Sequence, residues 1–453
     1  MKDLSKIVKA YDVRGVVPDE LDAAVARAVG AAFIRLTGAE RIVTAHDMRE
    51  SSPALAEAFI EGATGQGADV VRSGLGSTDL LYFASGQHGV PGAMFTASHN
   101  PARYNGIKLC RAGAAPVGQD SGLREIRDMI EAGIPPYQGR PGTVTDQDVL
   151  VQYARYLRGL VDLTGIRPLR VVVDAGNGMA GHTVPAVLGS ARLPALPLDI
   201  VPLYFELDGT FPNHEANPLN PDNLRDVQRV VVETGADIGL AFDGDADRCF
   251  VVDEKGDPVP PSAVTALVAV RELTRNPGGT VIHNLITSRA VPEIVREHGG
   301  VPVRTRVGHS FIKERMAATG AIFGGEHSAH YYFRDFWRAD TGMLAAMHML
   351  AALGGQPRTL SELTAEFSRY AASGEINSTV ADQAERTRVV EQAFAGRAAA
   401  VDHLDGLTIE LPDQSWFNLR PSNTEPLLRL NVEAADEPTM AALRDEVLAL
   451  VRG

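Results

Sequence analysis

The chain has 453 residues, of which 45% are apolar and 22% charged, with a formal net charge of −14. The composition is that of a globular protein without low-complexity segments, and a chain this long is expected to divide into three or four domains of about 100–150 residues. The negative balance argues against a nucleic-acid or anionic-membrane surface, so an anionic substrate needs a local basic pocket that works against the overall field. In chain order, residues 21–36 have helical periodicity, and 41–45, 68–71 and 93–95 read as short buried strands. Strand–helix alternation restarts at Leu169-Arg170-Val171-Val172-Val173-Asp174, continues through 237–242, and restarts at Thr280-Val281-Ile282-His283. This predicts an α/β fold with three similar α/β domains whose sheets are mixed and mostly parallel, although no residue-level repeat is visible. After Thr364 the texture changes. Residues 407–411, 416–419 and 427–432 alternate with period two and 439–451 are helical, which predicts a smaller C-terminal α+β domain. The divisions are placed at 1–150, 151–254, 255–364 and 365–453, with linker-like proline stretches at 135–136 and 258–261. The N-terminus leads into no apolar segment, and the runs at 263–270 and 344–353 fall short of the roughly 20 residues a membrane span needs. Two cysteines, Cys110 and Cys249, build no disulfide framework, which predicts a cytoplasmic protein.

Several segments carry chemistry. In Thr96-Ala97-Ser98-His99-Asn100-Pro101, Pro101 prevents the preceding strand from continuing, so Ser98 falls on a loop. A serine hydroxyl is a weak nucleophile that needs a neighbouring base, metal or cation, and His99 and Lys108 are candidates. As chemistry alone the segment reads equally well as a polar turn with a capping serine. Asp243, Asp245 and Asp247 follow the strand at 238–242. Their spacing of two in extended backbone puts three hard oxygen donors on one side, a set suited to Mg²⁺; a solvated acidic turn is the plainer reading. An EF-hand is rejected: Glu254 occupies the twelfth position, but Arg248 stands where that loop needs glycine, and strands flank the segment. Gly176-Asn177-Gly178-Met179-Ala180-Gly181, with Asp199 downstream, fits the dinucleotide fingerprint of an oxidoreductase. Lying in a middle unit, with Asp199 inside a strand, it is read as a tight turn whose glycines allow close packing.

Glu326 and Ser328, in Gly324-Gly325-Glu326-His327-Ser328-Ala329-His330, form either a pair able to grip adjacent hydroxyls or an ordinary polar turn. His309, after Gly308, starts a helix, where a histidine serves as an acid–base group or as a surface residue beside a cap. Arg420, Ser422, Asn423 and Thr424, with Arg429 nearby, offer a guanidinium fork, hydroxyls and an amide to a phosphate, or form a proline-bounded turn.

The wording and order of these segments, from Lys9-Ala10-Tyr11-Asp12-Val13-Arg14-Gly15 to Arg429, resemble the α-D-phosphohexomutase family along essentially the whole chain, in particular its bacterial phosphomannomutase/phosphoglucomutase branch. The resemblance implies four domains around a central cleft. It makes Ser98 the carrier of the phosphoryl group, with Tyr11, Arg14 and Lys108 on the serine side. Asp243, Asp245 and Asp247 would hold Mg²⁺ together with a phosphoserine oxygen of Ser98, Arg248 would face the reacting phosphate, and His309 would transfer a proton. Glu326 and Ser328 would bind the 3- and 4-hydroxyls, His330 the phosphosugar, and Arg420, Ser422, Asn423, Thr424 and Arg429 the phosphate that is not transferred. The implied reaction moves a phosphoryl group between the 6- and 1-positions of a small-molecule phosphosugar, mannose first and glucose second, through a hexose 1,6-bisphosphate, in a monomer or homodimer. Two positions depart from the pattern. His327 stands where the bacterial enzymes have methionine, and Ile286 where members often carry a basic residue, with Arg289 as a nearby substitute. A phosphoglucosamine mutase or dedicated phosphoglucomutase stays open as the alternative.

Overall fold

The structure, a computed structural model, describes residues 2–422 and 427–453, apart from the His309 side chain. Four sheets follow one another along the chain. The first is ordered Val13–Val16, Tyr104–Arg111, Gly92–Phe95, Arg41–His46, Asp69–Leu75, Val144–Asp146, with Ala115–Pro116 paired onto Tyr104–Arg111. The second is ordered Pro258–Val259, Cys249–Val252, Ile238–Phe242, Leu169–Asp174, Leu198–Leu203. The third is ordered Val301–Thr305, Thr280–Asn284, Phe323–Gly325, Tyr331–Phe333, Ala339–Asp340.

These three sheets share a plan that residue identity hides. Counting from Arg41–His46 in the first sheet, the first strand in each is flanked by the second and third, both parallel to it. The third then turns back antiparallel into the fourth. Helices cross between the parallel strands and cover both faces, which is why Val171-Val172-Val173 and all of Ile238–Phe242 are buried. The antiparallel third-to-fourth connection needs no helix and is a short loop.

The fourth sheet, Ala371–Thr379, Leu427–Ala434, Trp416–Pro421, Leu407–Glu410 and Ala400–Asp402, is antiparallel throughout. Helices Gln383–Phe394 and Glu437–Arg452 pack on it around a separate core that includes Phe394, Phe417 and Val447. One apolar core runs unbroken through much of the first three sheets. The stretch 258–261 is not a linker. Pro258–Val259 is an edge strand on Cys249–Val252, and Pro261 opens the helix Pro261–Arg275. Proline is tolerated at both places because neither needs its missing N–H. Among the described residues no helix is long and apolar enough to cross a membrane.

Candidate active site

The loops 96–103, 243–248 and 326–330 are the third-to-fourth connections of the first three sheets, so a single topological position is used three times. Each contains a non-glycine residue at positive φ: Ser98 at 49°, Ala246 at 59° and Ala329 at 62°. Such conformations are costly and persist where the surroundings over-determine them. The Ser98 hydroxyl donates to Asp243 Oδ2 at 2.8 Å and lies 3.1 Å from His99 Nδ1. A Cβ on Gly244 would stand 2.5 Å from the Ser98 carbonyl oxygen, so this glycine lets the aspartate loop close onto the serine loop. The three aspartates converge through a turn at Ala246, not through the extended backbone that their spacing predicts.

Asp243, Asp245 and Asp247 are at most 1% exposed. Lys108 donates to Asp245 Oδ2 at 2.7 Å and Asp247 Oδ2 at 2.6 Å, and Arg248 Nε donates to Asp243 Oδ2 at 2.8 Å. Thr78 Oγ1 adds a donor to Asp245 at 2.5 Å. Burial pushes the Asp243 carboxyl up to about 7, against the pull of Arg248. Burial and the Asp247 charge also oppose ionisation of Asp245, but Lys108 and Thr78 hold it below its ordinary range; Lys108 and His330 do the same for Asp247. Burial alone would lower the Lys108 pKa, yet the two carboxylates carry it well above its ordinary value. Asp245 Oδ1 and Asp247 Oδ1 are buried with no hydrogen-bond partner, and ligand oxygens of all three aspartates lie within 4.8 Å of one another. Unsatisfied hard oxygens converging at a buried site fit a small divalent cation such as Mg²⁺. Arg248 Nη2 is likewise buried without a partner.

Around this centre stand the other predicted residues. Arg14 Nη1 donates to Asn100 Oδ1 at 2.6 Å and pairs with Asp12, which keeps it on the serine loop. His330 places Nε2 3.8 Å from Asp247 Oδ1 and Nδ1 3.0 Å from Ser328 Oγ, and a backbone bridge joins it to Arg248. Glu326 is buried, held by the Tyr332 hydroxyl and by Asn284 Nδ2 at 3.2 Å. Tyr11, raised in pKa by burial and by the charges of Glu326 and Asp405, has its hydroxyl against Gly308, where the helix His309–Thr319 begins. Arg420 and Arg429 face each other across paired strands. Their guanidinium groups lie 3.3 and 3.5 Å from Glu375, with Asp405 3.7 Å from Arg420. Ser422 follows on the same hairpin, its N–H donating to the Leu427 carbonyl at 2.8 Å. Asn423, Thr424 and the His309 side chain lie outside the described residues.

The structure also decides the doubtful positions. A Cβ on Gly178 would meet the Gly244 carbonyl at 2.7 Å and one on Gly181 the Phe205 carbonyl at 2.2 Å, so the glycine turn is filled by backbone and supports the aspartate loop from below. Asp199 lies inside Leu198–Leu203, where Arg170 pairs with it. Glu254 accepts from Ser361 and has no part in the aspartate loop. Arg289 turns to Glu410 and the Gln414 carbonyl, so it does not substitute in the cleft for a basic residue at Ile286. Ile286 and His327 line one cavity of about 150 Å³ beside the C-terminal domain, with Trp416 and Glu433.

Sequence reasoning missed a supporting layer. Asp79 accepts from Tyr153 and Thr341 at 2.6 Å each, and burial pushes its carboxyl up to about 6. The buried ion pair of Lys313 and Asp340, 2.6 Å long, lies next to Asp247 and His330. Arg49 reaches the serine loop from Asp47-Met48-Arg49-Glu50-Ser51-Ser52. The available signal for Arg49 was its place just past the carboxyl end of a parallel strand, where α/β sheets carry their sites.

Comparison with known proteins finds relatives along the whole chain. Residues 5–135, 152–256 and 260–370 match the phosphoglucomutase/phosphomannomutase alpha/beta/alpha domains I, II and III, and residues 375–450 match the C-terminal domain. A phosphomannomutase of Salmonella typhimurium is 41% identical over 451 residues, covering 98% of each chain. One of Escherichia coli is 40% identical over 449 residues, again covering 98% of each. A crystal structure of a phosphoglucomutase/phosphomannomutase family protein from Burkholderia thailandensis has 34% identity and a TM-score of 0.89, covering 100% of this chain and 98% of that one.

Proposed function

The chain belongs to the phosphoglucomutase/phosphomannomutase family and is an enzyme of the isomerase class, and on that premise we propose that it interconverts mannose 6-phosphate and mannose 1-phosphate, with the glucose pair as a second activity. The observation that carries the reading is the Ser98 hydroxyl 2.8 Å from Asp243, whose partner Arg248 is buried and beside which Lys108 reaches Asp245 and Asp247. In the proposed cycle phospho-Ser98 yields its phosphoryl group to the free hydroxyl of a bound hexose phosphate. The bond from phosphorus to Ser98 Oγ breaks, a bond to the sugar oxygen forms, and the hydroxyl proton passes to a protein base, for which His309 is the candidate. The hexose 1,6-bisphosphate then turns over in the cleft and returns its other phosphoryl group to Ser98.

Arg14, Lys108 and Arg248 face charge that is already in place before transfer, so catalysis is positioning and electrostatics. Asp243, Asp245 and Asp247, with a phosphoserine oxygen, would hold Mg²⁺, which when bound supplies positive charge to the phosphoryl oxygens. Glu326 and Ser328 read the 3- and 4-hydroxyls. Those two hydroxyls exchange places when the ring turns over, so one pair of contacts serves both orientations. Tyr11 and His330 complete the cleft, and Arg420, Ser422, Asn423, Thr424 and Arg429 grip the phosphate at rest. We place the domain divisions at 150, 254 and 364. The buried, free Cys110 and Cys249 suit a reducing compartment, which supports a cytoplasmic setting.

The test combines a coupled assay on mannose, glucose and glucosamine 1-phosphates with mass spectrometry of the peptide carrying Ser98. Preferred turnover of the mannose ester and one phosphoryl group on Ser98 support the reading. Preference for the glucosamine ester overturns the substrate, and a phosphoryl group found only on another residue overturns the mechanism.

A further inference from the structure

We propose that Arg49 is the positioning residue that holds the Ser98 loop in its reactive conformation. Its guanidinium is spent on that loop's backbone. Nη2 donates to the carbonyls of Ser98 at 2.8 Å and Asn100 at 2.7 Å, and Nη1 donates to those of Pro101 and Tyr104 at 3.0 Å each. Four carbonyls turned inward from an irregular loop need donors, and one planar fork supplies them all. The side chain is 1% exposed and its charge is met by Asp47, with Nε 3.2 Å from Oδ2. Asp47 is itself fixed by the Arg49 N–H and by Ser52, whose hydroxyl Asn105 anchors at the start of the following strand.

The second domain closes over the arginine. The Phe211 ring lies 5.1 Å from Cζ, and a Cβ on Gly209 would stand 2.7 Å from the Arg49 Cα. Ser98 therefore keeps its left-handed φ of 49° with its carbonyl fixed between Arg49 Nη2 and Gly244, and that conformation aims the hydroxyl at Asp243. Each of the four contacts is to a backbone carbonyl, so the side chain's effect on the sugar phosphate passes through Ser98.

The inference rests on Ser98 being the phosphoryl carrier, and the experiment separates the two. Arg49→Lys keeps a cation opposite Asp47 but has no fork to span four carbonyls. In the folded variant kcat should fall about 100-fold, as expected for a reacting atom displaced by an ångström or so. KM for the hexose phosphate should stay within about twofold. Transfer of a phosphoryl group from hexose 1,6-bisphosphate onto Ser98, followed by intact mass, should slow to the same degree. A residue that served stability alone would lower the melting temperature without splitting kcat from KM. If Arg49→Lys does not fold, Asp47→Asn/Arg49→Gln removes the buried charge and its counter-ion together and is read in the same way. Wild-type kcat in a folded variant, or a KM that rises as much as kcat falls, overturns the inference. Ser98→Ala is assayed beside them. If it stays active, the carrier reading fails and the role of Arg49 falls with it. If it is inactive while Arg49→Lys is fully active, only the role of Arg49 fails.

Discussion

At the serine–aspartate centre the charges are sealed: Asp243, Asp245 and Asp247 are at most 1% exposed, and Lys108 and Arg248 reach them at 2.6–2.8 Å. At the arginine pair on the fourth sheet the spacing is looser. Arg420 and Arg429 lie 3.3–3.7 Å from Glu375 and Asp405, and the Arg429 side chain is 33% exposed. The first region sits beside a core continuous through the first three sheets, whereas the second rides on a domain with a core of its own. That domain meets the third through partly exposed pairs such as Arg304–Asp402, Arg289–Glu410 and Arg369–Glu297. Buried charges held in place, with Asp245 Oδ1, Asp247 Oδ1 and Arg248 Nη2 still unpartnered, would preorganise a field for the proposed transfer step. Arg420 is itself buried, but its longer contacts and the partly exposed Arg429 leave these cations less firmly committed, as the proposed grip on an incoming phosphate requires.

Substitutions in the two regions should therefore fail in different ways. The largest effect is expected for Ser98→Ala, with kcat reduced about a thousandfold or more in the coupled assay and no phosphoryl group on the peptide. Near-full activity would remove the sealed region from the chemistry altogether. Lys108→Met leaves Asp245 and Asp247 buried without their cation. It should cost about 3–5 kcal/mol of stability, read from denaturant melts. Added Mg²⁺ should restore part of that loss, by about 2.7 kcal/mol at a hundred times its Kd; a variant indifferent to the metal would refute the triad as a cation site. Arg420→Ala should raise KM about 10–100-fold while kcat moves little, the loss of a charge-assisted hydrogen bond worth about 1.5–3 kcal/mol. A large fall in kcat with unchanged KM would erase the distinction between the regions.

Smaller effects probe the junction. His283 lines a cavity shared with Thr408, Glu410 and Trp416 of the fourth sheet, and burial drives its pKa down to about 4. The folded state thus favours the neutral ring. The stability it contributes is complete above the unfolded value near 6.5 and is lost as pH falls toward about 4, at about 1.4 kcal/mol per unit. His348, stacked on Phe333 and also lowered by burial, acts in the same direction. Melting curves between those pH values should flatten in His283→Gln; an unchanged slope would assign the loss elsewhere. Arg304→Gln, at a pair with both partners about one-third exposed, should cost less than about 1 kcal/mol. A larger loss would mean that the C-terminal domain is fixed more firmly than its surface chemistry implies.

Much of the fold was legible because its signals are local. The all-apolar runs before Asp174 and Asp243 marked buried parallel strands, and the period-two pattern after Thr364 marked a different kind of sheet. The motif residues were legible for the same reason, since each loop carries its chemistry within six or seven consecutive positions. Pro258 and Pro261 misled because an edge strand and a helix start tolerate proline as well as a linker does. Arg289 and Arg49 show what local reading misses: both are arginines just past parallel strands, yet one turns away to Glu410 and the other toward Ser98.

Residue types and their spacing by themselves determined the class of chemistry, a hydroxyl, three carboxylates and a cluster of anion binders, because those are properties of side chains within one loop. Only the tertiary structure decided that three loops occupy the same place in three differently worded sheets, that the aspartates meet through a left-handed Ala246, and that a buried arginine from the loop after another strand donates to the serine loop. These depend on which distant segments share a low-dielectric interior, where a charge without a partner is costly and each buried polar group requires one.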